Sequence, residues 1–207
     1  MSTAIRPFQR GHGTMLLIAC GALGREIIDL IERNGWHHLD VECLPAKLHH
    51  TPDVIPERVR EKIRKAQGKY RKIYVLYGDC GTGGQLDKVL VEEGGVERIA
   101  GPHCFSFFWG NDEFAERSEN EISAFYLTGF FCRHFETFVW EALGLDRRED
   151  MVEFVFSHYT KLVFMPQLQD QELERKARNI AEKLGLEYEY RFSGYGDFET
   201  SLLALGR

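Results

Sequence analysis

No stretch of this chain reaches the roughly 18 consecutive apolar residues of a membrane span. The first residues carry Arg6 and Arg10 with no apolar segment directly behind them. Neither a membrane anchor nor a secretory signal is therefore expected. Basic charge is short as well. Lys and Arg total 26 against 32 Asp and Glu, a net charge of −6, so no nucleic-acid or anionic-membrane partner is expected. The five cysteines are odd in number and widely spread, with no CxxC pair, which excludes a disulfide framework. In a reducing cytoplasm, the expected location, they are thiols available as core residues, nucleophiles or metal ligands. Neither GxGxxG nor GxxxxGK[ST] occurs, so a nucleotide site has no support.

What is present suits a globular enzyme-sized domain. Hydrophobic residues make 43% and charged residues 28%, which excludes wholesale disorder. Aromatics reach 13%, fifteen of them Phe, and call for a large apolar interior or a partner surface. The length suits one domain over residues 15–207, with 1–14 as a flexible leader. Met15 to Cys20 is a continuous apolar run ending at Gly21, as in a buried parallel strand. A helical stripe follows at Ile27, Ile28, Leu30 and Ile31, stopped by Asn34-Gly35. Further strands are expected at Leu39 to Leu44, Lys72 to Tyr77 and Val96 to Ala100, with helices between them. Beyond an aromatic turn at 105–110, the sequence predicts strands at 124–128, 161–165 and 187–192 and helices at 130–143, 171–184 and 198–205. This alternation predicts an α/β protein with a doubly wound, mostly parallel sheet and helices on both faces, Rossmann-like.

Three cysteines fall at the ends of expected strands. Cys20 closes the first, Cys80 follows the third and Cys104 follows the fourth. The carboxyl ends of parallel strands open onto one edge, where ligands bind in a crevice. Residues far apart in sequence are thus expected to meet there. Each thiol stands beside glycine or near proline, in Cys20-Gly21, Gly78-Asp79-Cys80-Gly81-Thr82-Gly83 and Gly101-Pro102-His103-Cys104. Gly21, Gly78, Gly81 and Gly83 would let the backbone approach a cofactor closely. Three soft ligands suit zinc or an iron–sulfur cluster, with a further position open to substrate. The plainer account is that strand-end thiols simply pack, as buried cysteines commonly do. Cys43 and Cys132 read as core residues.

Around the thiols, His49 and His50 after the second strand and His103 beside Cys104 are candidates to supply a proton or hold a substrate carboxylate. Solvated loop histidines are the alternative. Asp79 reads as a base beside Cys80 or as an Asx-turn residue. The glycines of 78–84 either form an anion nest or merely shape the turn. The aromatic stretch 125–140 reads as a core or a dimer face, which leaves a homo-oligomer open.

Four segments together resemble domain-of-unknown-function family 1638. They are Leu17-Ile18-Ala19-Cys20-Gly21-Ala22-Leu23, Leu48-His49 ahead of Pro52, Tyr77 to Gly83, and Cys104 to Gly110. The resemblance runs over about residues 15–205, more loosely at 164–170, and places Cys20, Cys80 and Cys104 on the family's cysteine segments. Where the family carries an acidic residue before its third cysteine, this chain has His103. The resemblance implies a setting in anaerobes beside corrinoid-dependent methyl transfer.

The leading expectation is a metalloenzyme, a lyase or transferase, acting on a small molecule through a [4Fe–4S] cluster on Cys20, Cys80 and Cys104. The alternatives are a zinc-thiolate protein supporting corrinoid-linked methyl transfer and a non-catalytic binding or accessory module.

Overall fold

The computed structural model describes residues 14–205. The expected leader thus lies, apart from Thr14, outside the described residues. The chain divides into two compact units, one of residues 14–104 with Leu205 and one of Phe105–Ala204.

The first unit holds β1 (Met15–Cys20), α1 (Gly24–Asn34), β2 (Leu39–Leu44), α2 (Ile55–Ala66), β3 (Lys72–Leu76), α3 (Gln85–Glu92) and β4 (Glu97–Arg98). The strands form one parallel sheet in the order β2-β1-β3-β4. β1 is apolar without alternation because both of its faces are covered: Leu16, Leu17, Ile18 and Ala19 are all buried. The chain leaves β1 to one side to make β2, then returns past β1 to make β3. Right-handed crossovers therefore put α1 on one face and α2 and α3 on the other. On the second face Ile55, Val59 and Ile63 of α2 and Leu86 and Leu90 of α3 pack with Leu16, Ile18 and Val75. Ile63 is fully buried there, and cutting it to Ala would cost about 2–5 kcal/mol. The connections from β1 and β3 run to opposite sides, so the carboxyl ends of these two strands are the switch point at which ligands bind in parallel sheets of this kind.

The second unit holds α4 (Cys104–Trp109, whose first residue belongs to the first unit), α5 (Asn111–Asn120), β5 (Ala124–Thr128), α6 (Gly129–Arg133), a π-helical turn (Glu136–Trp140), α7 (Val152–Phe156), β6 (Lys161–Met165), α8 (Gln171–Leu184), β7 (Glu187–Tyr190) and α9 (Gly196–Leu205). Its strands pair in parallel in the order β5-β6-β7. Asp170 caps α8 by accepting from the Leu173 amide at 3.0 Å. The helix buries Leu173, Ala177, Ile180 and Leu184 against Leu127, Leu162 and Phe164. Phe131, Phe135 and Trp140 join that core, so these members of the 125–140 aromatic stretch are interior.

The parallel α/β architecture is the expected one, with its strands shared between two sheets. β4 is only two residues long, so its outer edge offers little backbone for another strand to pair with. The expected aromatic turn at 105–110 is helical, as α4. The expected helix over 130–143 is broken into α6 and the π-helical turn.

Candidate functional site

The four parallel strands of the first unit end on one edge. Cys20 is the last residue of β1. Gly21 follows because there is no room for a side chain: a Cβ would stand 2.9 Å from the Leu44 carbonyl oxygen and 3.2 Å from the Ala46 nitrogen. That close approach draws the ends of β1 and β2 together. Beyond β3, the 78–80 turn lies on the 101–103 segment. The Asp79 N–H donates to the Gly101 carbonyl at 3.0 Å and the Cys80 N–H to the Pro102 carbonyl at 2.7 Å. Cys80 has φ 50°, and among the described residues no other non-glycine residue has positive φ. A non-glycine residue in that region is strained by about 1–3 kcal/mol, and the two backbone bonds hold it there. Arg98 braces the same segment, donating to the Ile99 carbonyl at 2.8 Å and to Asp87 at 2.5 Å.

Cys20 at the end of β1, Cys80 in the turn after β3 and Cys104 at the start of α4 each feel the charge of another of the three. Burial is the chief cause that raises the pKa of each. Cys80 is pushed up to about 12, with the charge of Cys20 as the second cause. Cys104 is raised well above its usual value by burial, then by Cys80, Cys20 and Glu26. Each of the three residues is partly buried. Burial thus favours the protonated form of each thiol. Among the described residues, no group of three His, Cys, Asp or Glu side chains stands ready to hold a single metal ion.

Two histidines overlook this edge. His49, in the 3-10 turn Ala46–His50, is held below the usual imidazole range by the protein around its ring and then by His50. His103 is lowered by burial and then by His49. The loops after β2 and β4 therefore come within electrostatic reach of each other here. His50 is exposed.

Asp79 is a turn organiser. Its carboxylate accepts from the Thr82 hydroxyl at 2.8 Å and from the Gly83 and Gly84 amides at 3.1 and 2.7 Å. The Gly84 amide is the chief cause that keeps its pKa below the usual carboxylate range. The nest amides are thus occupied by the chain's own carboxylate. Gly83, at φ +59°, has open space around it, and Gly81, at φ +83°, lies against Pro52. Both serve the turn.

Cys43 lies on β2, exposed as a residue, with its sulfur turned toward Gly24, where an added Cβ would be 3.4 Å away. Cys132 is in the second unit, fully buried, its Sγ 3.5 Å from the Leu173 carbonyl. That unit also has a pocket of about 270 Å³ lined by Arg133, Asp170, Glu172, Leu173 and Lys176. Its charges of both signs offset one another.

Two residues at the edge escape a reading by composition. Tyr77 is 2% exposed and Glu26 4% exposed. Glu26 stands three residues after Leu23 and four before Leu30, both buried, so the helical spacing alone places it on the inward stripe of α1. Tyr77 passes in sequence for one more apolar residue of the third strand.

A family model described as protein of unknown function (DUF1638) matches residues 43–202. His49, Tyr77, Asp79, Cys80, His103 and Cys104 lie inside that range, and Cys20 precedes it, so the match begins later than the residue 15 that the motif resemblance suggested. No curated protein and no solved structure matches the chain. With the match covering most of the sequence, and the thiol edge largely within it, the chain belongs to the DUF1638 family.

Proposed function

We propose that the edge formed by Cys20, Cys80 and Cys104 binds a [4Fe–4S] cluster with one coordination position open to a small-molecule substrate, and that the protein is a metal-dependent lyase or transferase. The observation that carries this reading is the position of three thiols from three separate strand ends, each within electrostatic reach of another, at the switch point of a parallel sheet. A tetrahedral zinc ion would need sulfurs about 4 Å apart, given Zn–S bonds near 2.3 Å. A cubane cluster accepts sulfurs spread further apart than that. Thiols are also the right chemistry, being soft donors.

When bound, the cluster would supply a Lewis-acidic iron at the open position. The chain's own residues do the rest. The buried thiols lose protons on loading, so uptake weakens as pH falls. Neutral His49 and His103 can each accept a proton from, or donate a hydrogen bond to, a substrate oxygen or sulfur. The 78–84 turn and the 101–103 segment fix Cys80 and Cys104 by backbone contacts, which limits their movement on loading. The net charge of −6 agrees with a small-molecule substrate rather than nucleic acid.

The test is the visible spectrum of the protein isolated without oxygen. A brown protein absorbing near about 400 nm, where such clusters absorb, is expected. A colourless protein carrying zinc would favour the methyl-transfer alternative, and a folded, metal-free protein that takes up neither would favour an accessory module.

A further inference from the structure

Tyr77 directly follows β3, and the pairing of Ala19 with Leu76 puts it beside Cys20 across the switch point. Both side chains lie on the face that also carries Leu16, Ile18 and Val75. The phenol is 2% exposed, and its hydroxyl is buried without a hydrogen bond of full geometry, the Cys20 thiol being the group placed to interact with it. Such a hydroxyl is costly, and a phenylalanine would fill the same space without that cost. The polar groups that bear on it are the thiols of Cys20, Cys80 and Cys43. A neutral thiol is a weak acceptor, whereas a sulfur carrying negative charge is a much better one. The Tyr77 hydroxyl thus stands beside a sulfur that accepts only weakly as a thiol and strongly once it carries negative charge.

We propose that Tyr77 is a positioning residue whose hydroxyl donates a hydrogen bond to the Cys20 sulfur in the loaded protein. The inference rests on the cluster reading and assigns that site a donor for one of its ligand sulfurs. Hydrogen bonds to ligand sulfurs are among the determinants of a cluster's reduction potential.

The test compares the full chain with Tyr77→Phe, each prepared without oxygen, empty and after loading with iron and sulfide. The empty variant is expected to melt at the parent's temperature or above it, since it loses a poorly satisfied hydroxyl. The loaded variant is expected to have a more negative reduction potential than the loaded parent. A packing role alone, which Phe preserves, would leave the potential unchanged. An empty variant that melts several degrees lower, or fails to fold, would show that the hydroxyl already supports the empty protein and would overturn the proposal. A variant that loads with the parent's potential would also overturn it and leave the cluster reading standing. If the parent itself takes up no cluster, both ideas fall.

Discussion

Gly78 lies directly against the backbone of His103: a Cβ at Gly78 would stand 2.9 Å from both the nitrogen and the Cα of His103, and 3.0 Å from the Gly101 carbonyl oxygen. These are backbone atoms and cannot swing aside as a side-chain tip would. The turn that bears Cys80 and the segment that leads to Cys104 are thus in register only while residue 78 lacks a side chain. Gly78→Ala is expected to destabilise the protein by about 1–3 kcal/mol, the usual cost of overpacking. Gly83→Ala, which meets open space but keeps φ +59°, is expected to cost about 1–2 kcal/mol from backbone strain alone. The site separates them more sharply: Gly78→Ala should impair cluster uptake and Gly83→Ala should spare it, as read from iron content after loading. Equal uptake in both would mean that the Gly78–His103 contact does not position the thiols.

Asp79 offers a contrast between organising a turn and moving a proton. Its three accepted hydrogen bonds predict that Asp79→Ala loses about 1–2 kcal/mol of stability. Asp79→Asn, which retains an acceptor oxygen, should lose less. Chemical denaturation measures both. If Asp79→Asn folds as well as the parent yet turns over no substrate that the parent accepts, the base role returns.

Glu121 contributes to acid stability in the second unit. Its carboxylate takes two bonds from Arg191, both 2.6 Å, and one from Lys161 at 3.1 Å. The Arg191 guanidinium, first among the causes, holds its pKa at about 2. A carboxyl lowered on folding stabilises the protein fully above its unfolded pKa, near about 4.3, and that stabilisation is lost as pH falls toward the folded value. With screening at a side chain that is 19% exposed, the contribution is about 1–2 kcal/mol. Glu121→Gln should therefore be less stable than the parent at pH 7, with the gap closing between about pH 5 and pH 2. A gap that stays constant over that range would rule out the linkage.

The fold was legible wherever burial leaves a mark on periodicity. β1, β5, β6 and α8 have continuous apolar runs or an amphipathic stripe, and they lie where those patterns put them. α5 was not legible, because Phe114 is its one buried residue among the described ones and its other positions carry no stripe. The division into two sheets was hidden for a different reason. Whether β5 pairs with β4 depends on the length of the β4 edge, and the run 96–100 does not disclose that only Glu97 and Arg98 join the ladder. At the site, the position of Cys20 at the end of β1 was legible, since the apolar run of the strand stops there. The part played by Tyr77 was not, because a phenol on a buried strand looks the same in sequence whether or not its hydroxyl has a partner.

The remaining cysteines and the histidines separate structure from site. Cys132→Ala trims a buried side chain in the second unit and should cost about 1 kcal/mol. Cys43→Ala, at an exposed residue, should cost less. Neither should alter cluster content, measured as iron per chain. His49→Ala and His103→Ala should likewise keep the cluster but weaken binding of thiols or carboxylates offered as ligands, while His50→Ala should behave as the parent. If all three histidine variants bind as the parent does, the imidazoles are solvated loop residues and no more.

The central claim is that Cys20, Cys80 and Cys104 together hold one cluster, and the most direct measurement is iron and acid-labile sulfide per chain after anaerobic loading. The account predicts about four of each in the parent. It predicts a large loss in Cys20→Ser, Cys80→Ser and Cys104→Ser, each checked by circular dichroism to be folded. Parent-like iron and sulfide in any one of those folded variants would contradict it.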